Sequence, residues 1–150
     1  MSATARRRRR DGEDLSPQSL TRKQVLDLLR KGRPMTELDL RGTDLSGLSF
    51  EGIDLAYSKL ADADLSRCSF KGANLTSVSL WHANLKDASF EGAVLDFADM
   101  DCANIDGCTF KGARLKKTIL PNPRTSLTQV EDSVRTGRRV AFKADELDFE

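Results

Sequence analysis

Residues 63–87 read ADLSR CSFKG ANLTS VSLWH ANLKD, which divides into five units of five residues. The third residue of each unit is large and apolar, and the first is small or apolar. The same spacing extends in both directions and gives 17 large apolar centres from Leu40 to Leu120. All 21 charged residues between Leu38 and Asn122 occupy the other three positions of the unit. This period therefore indicates two inward-facing positions in every five.

A period of five excludes a long helix and an ordinary sheet as the main structure. A helix repeats every ~3.6 residues and a strand every 2, so neither keeps these centres buried over so long a stretch. A chain that turns after each unit can do so. It then winds as a solenoid whose successive turns pair through backbone hydrogen bonds.

The phenylalanines give the number of sides in each turn. Among the centres, phenylalanine occurs at Phe50, Phe70, Phe90 and Phe110, each followed two residues later by glycine. This spacing of 20 residues predicts four sides of five residues and an internal phenylalanine ladder. The same spacing stacks four residues of alternating charge in one outward column: Glu51, Lys71, Glu91 and Lys111. Opposite charges on neighbouring rungs stabilise each other, so this pattern supports a period of 20. The sequence thus predicts an all-β solenoid, a four-sided β-helix of about four turns.

The units Ala63–Arg67, Ala73–Ser77 and Ala83–Asp87 resemble those of the pentapeptide-repeat proteins. The family's unit is a small residue, Asp or Asn, Leu or Phe, Ser or Thr, and a variable residue. The resemblance implies a right-handed, four-sided β-helix over residues 38–122. It implies less about function, although some members of the family imitate DNA and engage type II topoisomerase (gyrase).

The flanks of the repeat predict a short helical cap at each end. Thr21 and Gln24 form a capping-box pattern for a helix over Thr21–Lys31, which Gly32 and Pro34 end. A second helix is predicted from Ser126 to Thr136. We expect four segments: a disordered basic-then-acidic tail (1–20), a capping helix and entry (21–37), the β-helix (38–122), and a C-terminal helix with a docking tail (123–150).

The sequence offers little for catalysis or metal binding. The single histidine, His82, is predicted at an outward corner with no serine or cysteine beside it. Cys68 and Cys108 lie two rungs apart, too far for a disulfide, and Cys102 points outward at another side. No cysteine and histidine spacing fits zinc. We therefore expect no enzyme activity, cofactor, metal or small-molecule substrate.

Carboxylates that precede a centre are predicted to form hydrogen bonds along the outer wall. They are Asp39, Asp44, Asp54, Asp64 and Asp99. A cluster in one turn is interpreted as structural because Lys86 and Lys116 stack beside two of its members: Asp96, Asp99, Asp101 and Asp106.

Charge outside the repeat is concentrated in Arg6, Arg7, Arg8, Arg9 and Arg10. Five adjacent guanidinium groups bind phosphates in a salt-dependent way, but three acidic residues at 11–14 reduce the local charge from +5 to +2. Three interpretations stay open: a solvated tail, weak contact with nucleic acid or an acidic surface, and a targeting signal. The net charge of +1 gives no indication of what kind of partner the chain binds. The absence of a long apolar run predicts a cytoplasmic protein without a membrane anchor.

Four apolar residues occupy outward positions and are expected to form one patch. Tyr57 and Phe97 share a corner column with Ser77 between them, Trp81 begins the adjoining side, and Val94 replaces the usual Asp or Asn. Aromatic residues are enriched in protein interfaces, so the patch predicts a protein partner or a second copy of the chain. The alternative is that the C-terminal tail covers it through Phe142 or Phe149.

The sequence therefore predicts a non-enzymatic protein-interaction or scaffold module. The alternative, a DNA-mimicking modulator of gyrase, requires a strongly acidic rod. Residues 38–122 contain 9 basic and 12 acidic residues, a net charge of only −3. The predicted coil is about 20 Å long at ~4.8 Å per turn, which corresponds to only about six base pairs of DNA.

Overall fold

The computed structural model describes residues 19–121 and 123–141. They form a right-handed four-sided β-helix between two helices, α1 (Arg22–Arg30) and α2 (Pro123–Thr136). Each side contributes a single bridging residue, and 13 parallel bridges join residues that are 20 apart, from Asp39 with Lys59 to Asp99 with Ile119. The predicted four-sided coil is therefore confirmed. Neither helix of the described residues has the length and apolar content to cross a bilayer.

Each unit ends in a corner where the backbone enters the left-handed region. From Glu37 to Lys117, every fifth residue has φ between 53° and 78°, and each lies two positions after a residue of the central column. The next N–H then donates to the carbonyl of the centre, as Ala83 does to Leu80 at 3.0 Å. This combination is typical of type II turns, which favour glycine at the left-handed position. Of the 17 corners from Glu37 to Lys117, seven have glycine and ten hold residues with a side chain.

The Asp or Asn that precedes a centre closes the turn that follows it. Oδ1 of Asp64 accepts hydrogen bonds from the N–H and Oγ of Ser66, at 3.0 and 2.7 Å. Asn74 binds Thr76 in the same way, at 3.1 and 2.6 Å. The side-chain amide of Asn74 also donates to Asp54 one rung below, at 3.2 Å. These residues are therefore used for turn closure and for bonds along the outer wall.

The phenylalanine ladder fills the centre of one side. Successive rings of Phe50, Phe70, Phe90 and Phe110 stack with centroids 5.3, 5.1 and 5.1 Å apart and planes within 7° of parallel. No ring is more than 1% exposed. The ladder predicted from the 20-residue spacing is confirmed.

Polar residues at the inward position before the centre donate to the rung below. Ser58 Oγ lies 2.8 Å from the carbonyl oxygen of Met35, and Cys68 Sγ lies 3.0 Å from that of Leu45. Cys108 repeats this contact with Leu85 at 2.9 Å. Burial raises the pKa of Cys68 to about 11 and also raises the pKa of Cys108. Both thiols are therefore small, hydrogen-bonded core residues that burial makes unreactive.

The N-terminal end is closed by α1 and by an additional centre. The capping box is present: Gln24 N–H donates to Thr21 Oγ1 at 3.2 Å, and Thr21 N–H donates to Gln24 Oε1 at 2.8 Å. Met35 is 1% exposed and lies five residues before Leu40, in register with the other centres. The coil therefore begins earlier than residue 38, the boundary predicted from the sequence.

The C-terminal end is closed by α2 and the segment after it. The helix begins at Pro123, three residues before the predicted start, because proline is well suited to the first position of a helix. Phe110 N–H donates to Ser133 Oγ at 2.9 Å. Val140 then accepts from Gly107 N–H at 2.6 Å and donates to Cys108 at 2.7 Å. Helix and segment together satisfy backbone groups that would otherwise face open solvent.

Candidate interaction surface

One corner of the coil carries two exposed aromatic rings. Its left-handed positions on five successive rungs form what we call the aromatic corner: Glu37, Tyr57, Ser77, Phe97 and Lys117. The N–H groups of the first four donate to the next rung at 2.8–3.0 Å, which places these residues directly above one another. The exposed fractions of Tyr57 and Phe97 are 60% and 49%.

The backbone conformation at these two aromatic residues is unfavourable. Their φ angles are 64° and 62°. An L-residue in the left-handed region costs about 1–2 kcal/mol relative to the right-handed one, and glycine avoids this cost. Neither ring lies in the core, since about half or more of each is exposed. The stability of the fold therefore does not explain the two aromatic side chains.

Trp81 lies at the next corner, 44% exposed, with its ring 5.3 Å from that of His82. Between the two corners runs one side of the coil, which presents the bridging residues Asp39, Lys59, Ser79, Asp99 and Ile119. The structure thus brings Tyr57 and Phe97 onto one corner and separates Trp81 from them by this side.

Val94 lies on the preceding side, where it has a structural role. It is half-buried and pairs with Arg114 on the next rung, so two successive positions lack the usual Asp or Asn. Asp96, 3% exposed, takes over the missing turn closure: its Oδ1 accepts from Lys116 N–H at 3.1 Å. Its Oδ2 binds Arg114 Nε at 2.8 Å, and this guanidinium lowers the pKa of Asp96. The candidate surface is therefore centred on Tyr57 and Phe97.

The histidine lies in an outward column between Asp62 and Cys102. His82 Nδ1 is 2.7 Å from Asp62 Oδ1 on the rung below. Cys102 occupies the same left-handed position on the rung above, so the expectation that no cysteine lies beside His82 is wrong. The 20-residue spacing of residues 62, 82 and 102 was the signal for this column. Desolvation and the nearby Asp101 raise the pKa of Cys102, which disfavours a thiolate nucleophile.

The remaining candidates give no further site within the described part of the chain. There, no group of three or more His, Cys, Asp or Glu residues could hold a metal ion. Asp99 closes its own turn by accepting from Asp101 N–H at 2.9 Å, and Asn104 does the same for Asp106. The predicted nucleic-acid site at Arg6–Arg10 lies outside the described residues, as do Phe142 and Phe149.

Comparison with known proteins gives a consistent result. The sequence-family model described as the pentapeptide repeat region matches residues 43–120 of this chain. A pentapeptide repeat protein (Rfr23) from the cyanobacterium Cyanothece 51142 is 30% identical, with 69% of this chain and 65% of that chain covered and a TM-score of 0.57. One from the Arabidopsis thaliana thylakoid lumen is 34% identical over 55% and 57% of the two chains, with a TM-score of 0.53.

A pentapeptide repeat protein from Nostoc PCC 7120 is 26% identical, covers 71% of this chain and 90% of that chain, and has a TM-score of 0.62. The chain spans only 65% and 57% of the lengths of the Cyanothece and Arabidopsis proteins. No curated protein matches the chain.

Proposed function

The chain belongs to the pentapeptide-repeat family, and we propose that it is a non-enzymatic interaction module that binds a protein partner through the aromatic corner. The observation that carries this proposal is the pair Tyr57 and Phe97. Both rings are largely exposed, and both occupy backbone positions that favour glycine. Exposed aromatic side chains that do not serve the fold are typical of protein interfaces.

The surroundings of the two rings support the same interpretation. Charged residues frame them: Glu37 and Lys117 at the ends of the column, and Lys59 and Asp99 on the adjoining side. An apolar centre with a polar rim is the usual composition of an interface. Trp81, at the next corner, adds a third exposed ring across the polar side that carries Lys59, Ser79 and Asp99.

The chemistry of the described side chains favours binding over catalysis. His82 faces a carboxylate, and the neighbouring Cys102 has a raised pKa and so is a poor nucleophile. The carboxylates that precede the centres are engaged in turn closure, as in Asp64. These arrangements supply no activated nucleophile and no acid–base pair with unequal environments.

DNA mimicry at type II topoisomerase is the less well supported alternative. Imitation of a phosphate backbone requires a continuous acidic stripe along the rod. Here residues 38–122 have a net charge of −3, and one outward column alternates in sign: Glu51, Lys71, Glu91 and Lys111. Contact between nucleic acid and Arg6–Arg10 stays a separate prediction.

Affinity capture with matched variants tests the proposed function. The immobilised full chain is compared with the Tyr57→Gly/Phe97→Gly variant, which removes both rings and keeps a residue suited to the left-handed backbone. The control is Arg67→Gly, because Arg67 is exposed and has φ 58° at a different corner. We expect the immobilised wild type and the Arg67→Gly control to retain a partner protein. The immobilised Tyr57→Gly/Phe97→Gly variant should not retain it. Retention by all three would contradict the proposal.

A further inference from the structure

The aromatic corner has a palindromic order of side chains. From the first rung to the fifth it presents an acid, an aromatic ring, a serine, an aromatic ring and a base: Glu37, Tyr57, Ser77, Phe97 and Lys117. When this column is turned upside down and laid against itself, the acid meets the base at both ends. The rings then face each other, and Ser77 faces its own copy.

The three central residues of the adjoining side have the same property about the same rung, whereas its outer two, Asp39 and Ile119, would face each other without charge pairing. Lys59 lies one rung below Ser79 and Asp99 one rung above it, and parallel bridges join all three. Inversion about Ser79 therefore places a lysine opposite an aspartate in two symmetric positions. Lys59 is exposed and Asp99 is half-buried, so both can reach a neighbouring surface. Trp81, at the far end of the same side, meets its own copy.

We propose that a second copy of this chain binds this surface in antiparallel orientation, about a two-fold axis that runs along residues 77–81. The proposal rests on the proposed function, because it names the protein that the aromatic corner binds. In this dimer Tyr57 packs against the partner's Phe97, Lys59 pairs with the partner's Asp99, and Glu37 pairs with the partner's Lys117. Two-fold symmetry makes each contact occur twice.

Charge complementarity favours this orientation over the parallel one. In a parallel arrangement each charged residue of the column would face its own copy, which places Glu37 against Glu37 and Lys117 against Lys117. Like charges directly opposite each other are destabilising. An unrelated protein has no reason to match a pattern that is complementary to itself, whereas an isologous dimer requires such a pattern.

The dimensions of the surface predict a weak dimer. Four steps between five rungs give a height of about 19 Å at ~4.8 Å per rung. The surface is only two corners and one side wide. An interface of this size lies below the ~1,200 Å² that stable complexes usually bury, so we expect association to depend on concentration.

Sedimentation velocity of the full chain between about 5 and 500 µM tests the dimer. Lys59→Asp and Asp99→Lys each place like charges together twice, and we expect each to weaken dimerisation about tenfold. The double variant Lys59→Asp/Asp99→Lys, and an equimolar mixture of the two single variants, should both restore it. Lys71→Asp, in a different outward column, is the control and should have no effect. Thermal unfolding of each variant verifies that it is folded.

A cross-link tests the position of the axis. Ser77→Cys in a Cys102→Ser background places a thiol on the proposed axis, so mild oxidation should give a disulfide-linked dimer. Arg67→Cys in the same background places a thiol at an exposed, left-handed corner position away from the proposed axis and should stay monomeric.

Three outcomes would overturn the proposal: a monomer at every concentration, a dimer that ignores the charge reversals, or equal cross-linking at Arg67→Cys. A monomeric chain that still binds another protein through Phe97 overturns the dimer alone. A monomeric chain without Phe97-dependent binding overturns the proposed function as well.

Discussion

Arg114 and Asp96 join two adjacent rungs through a carboxylate that is almost fully enclosed. Arg114 Nε lies 2.8 Å from Asp96 Oδ2, and Lys116 N–H donates to Oδ1 at 3.1 Å. A single side chain thus pairs with a charge and closes a turn on the rung above. This contact lies beside the aromatic corner, because Phe97 follows Asp96 directly in the chain. The backbone next to Phe97 is therefore joined to the next rung by an ion pair and by a turn closure.

The first prediction concerns this ion pair and pH. The pKa of Asp96 is lowered in the folded state, so its contribution to stability is complete above its unfolded pKa of about 3.9. That contribution is lost as the pH falls through the lowered folded value. We expect Asp96→Asn to lower the melting temperature at pH 7 and to have a smaller effect at pH 3. Equal losses at both pH values would show that the charge of Asp96 does not matter.

The second prediction concerns the phenylalanine ladder. Phe90 has a stacked ring on each side, at 5.1 Å, so Phe90→Ala removes both contacts and leaves a cavity. We expect a loss of about 3–5 kcal/mol in the free energy of unfolding, measured by urea denaturation. Phe110→Ala is the comparison, because Phe110 stacks on only one ring of the ladder. A loss below 1 kcal/mol at Phe90 would contradict a close-packed ladder.

The third prediction concerns the exposed ring of Phe97. Phe97→Gly removes the left-handed penalty of about 1–2 kcal/mol, and the greater freedom of glycine in the unfolded chain offsets part of this gain. We therefore expect the free energy of unfolding to rise by up to about 1 kcal/mol. Thermal and urea unfolding measure it, with Arg67→Gly as the control at another corner.

A clear loss of stability at Phe97 would indicate that another part of the chain covers the ring. The C-terminal tail, which carries Phe142 and Phe149, would then be the candidate. The same variant in a chain that ends at residue 141 would show whether the tail is responsible.

The Trp81→Ser/Phe97→Ser pair should abolish association and leave the melting temperature nearly unchanged.

The fourth prediction compares two glycines at equivalent corners. Gly47 and Gly107 have φ angles of 74° and 78°. A Cβ at Gly47 would meet nothing within 4 Å, whereas one at Gly107 would clash with Asp87 Oδ1. Gly47→Ala should cost about 1 kcal/mol through its backbone alone, and Gly107→Ala should cost more. Asp87→Ala should remove most of the difference in stability loss between the two glycine variants. Equal losses for Gly47→Ala and Gly107→Ala in a chain that keeps Asp87 would contradict the contact.

The fifth prediction separates the arginine run from DNA mimicry. Nucleic-acid binding by the full chain should weaken steeply with salt, with a slope near −0.9 per phosphate contacted, and deletion of Arg6–Arg10 should abolish it. Filter binding at several salt concentrations measures the slope. Inhibition of supercoiling by a chain without residues 1–14, at concentrations comparable to the topoisomerase, would instead favour the mimicry alternative.

The fold could be predicted because its repeat period can be counted directly in the sequence. A five-residue spacing of centres and a 20-residue spacing of phenylalanine leave a four-sided coil as the arrangement that buries both. The ends were less predictable. Met35 is in register with the centres but lies before the predicted boundary at residue 38, and α2 begins at Pro123, before the predicted Ser126.

The candidate site was only partly predictable. The shared column of Tyr57 and Phe97 follows from the period, and so does the column of Asp62, His82 and Cys102, which was overlooked. The role of Asp96 could not be foreseen, because it departs from the repeat. A carboxylate that closes a turn on another rung uses a contact 20 residues away, and nothing in the unit that contains it indicates this.

The fixed step of 20 residues between stacked positions has a consequence for how such a chain changes in length. Insertion of one five-residue unit rotates every later residue by a quarter of a turn, which moves each outward column to a different side. Only the gain or loss of a whole turn keeps every column aligned. Variation in this protein by duplication or deletion should therefore occur in whole turns, and each such event changes how far apart two surface residues lie without changing the direction they face.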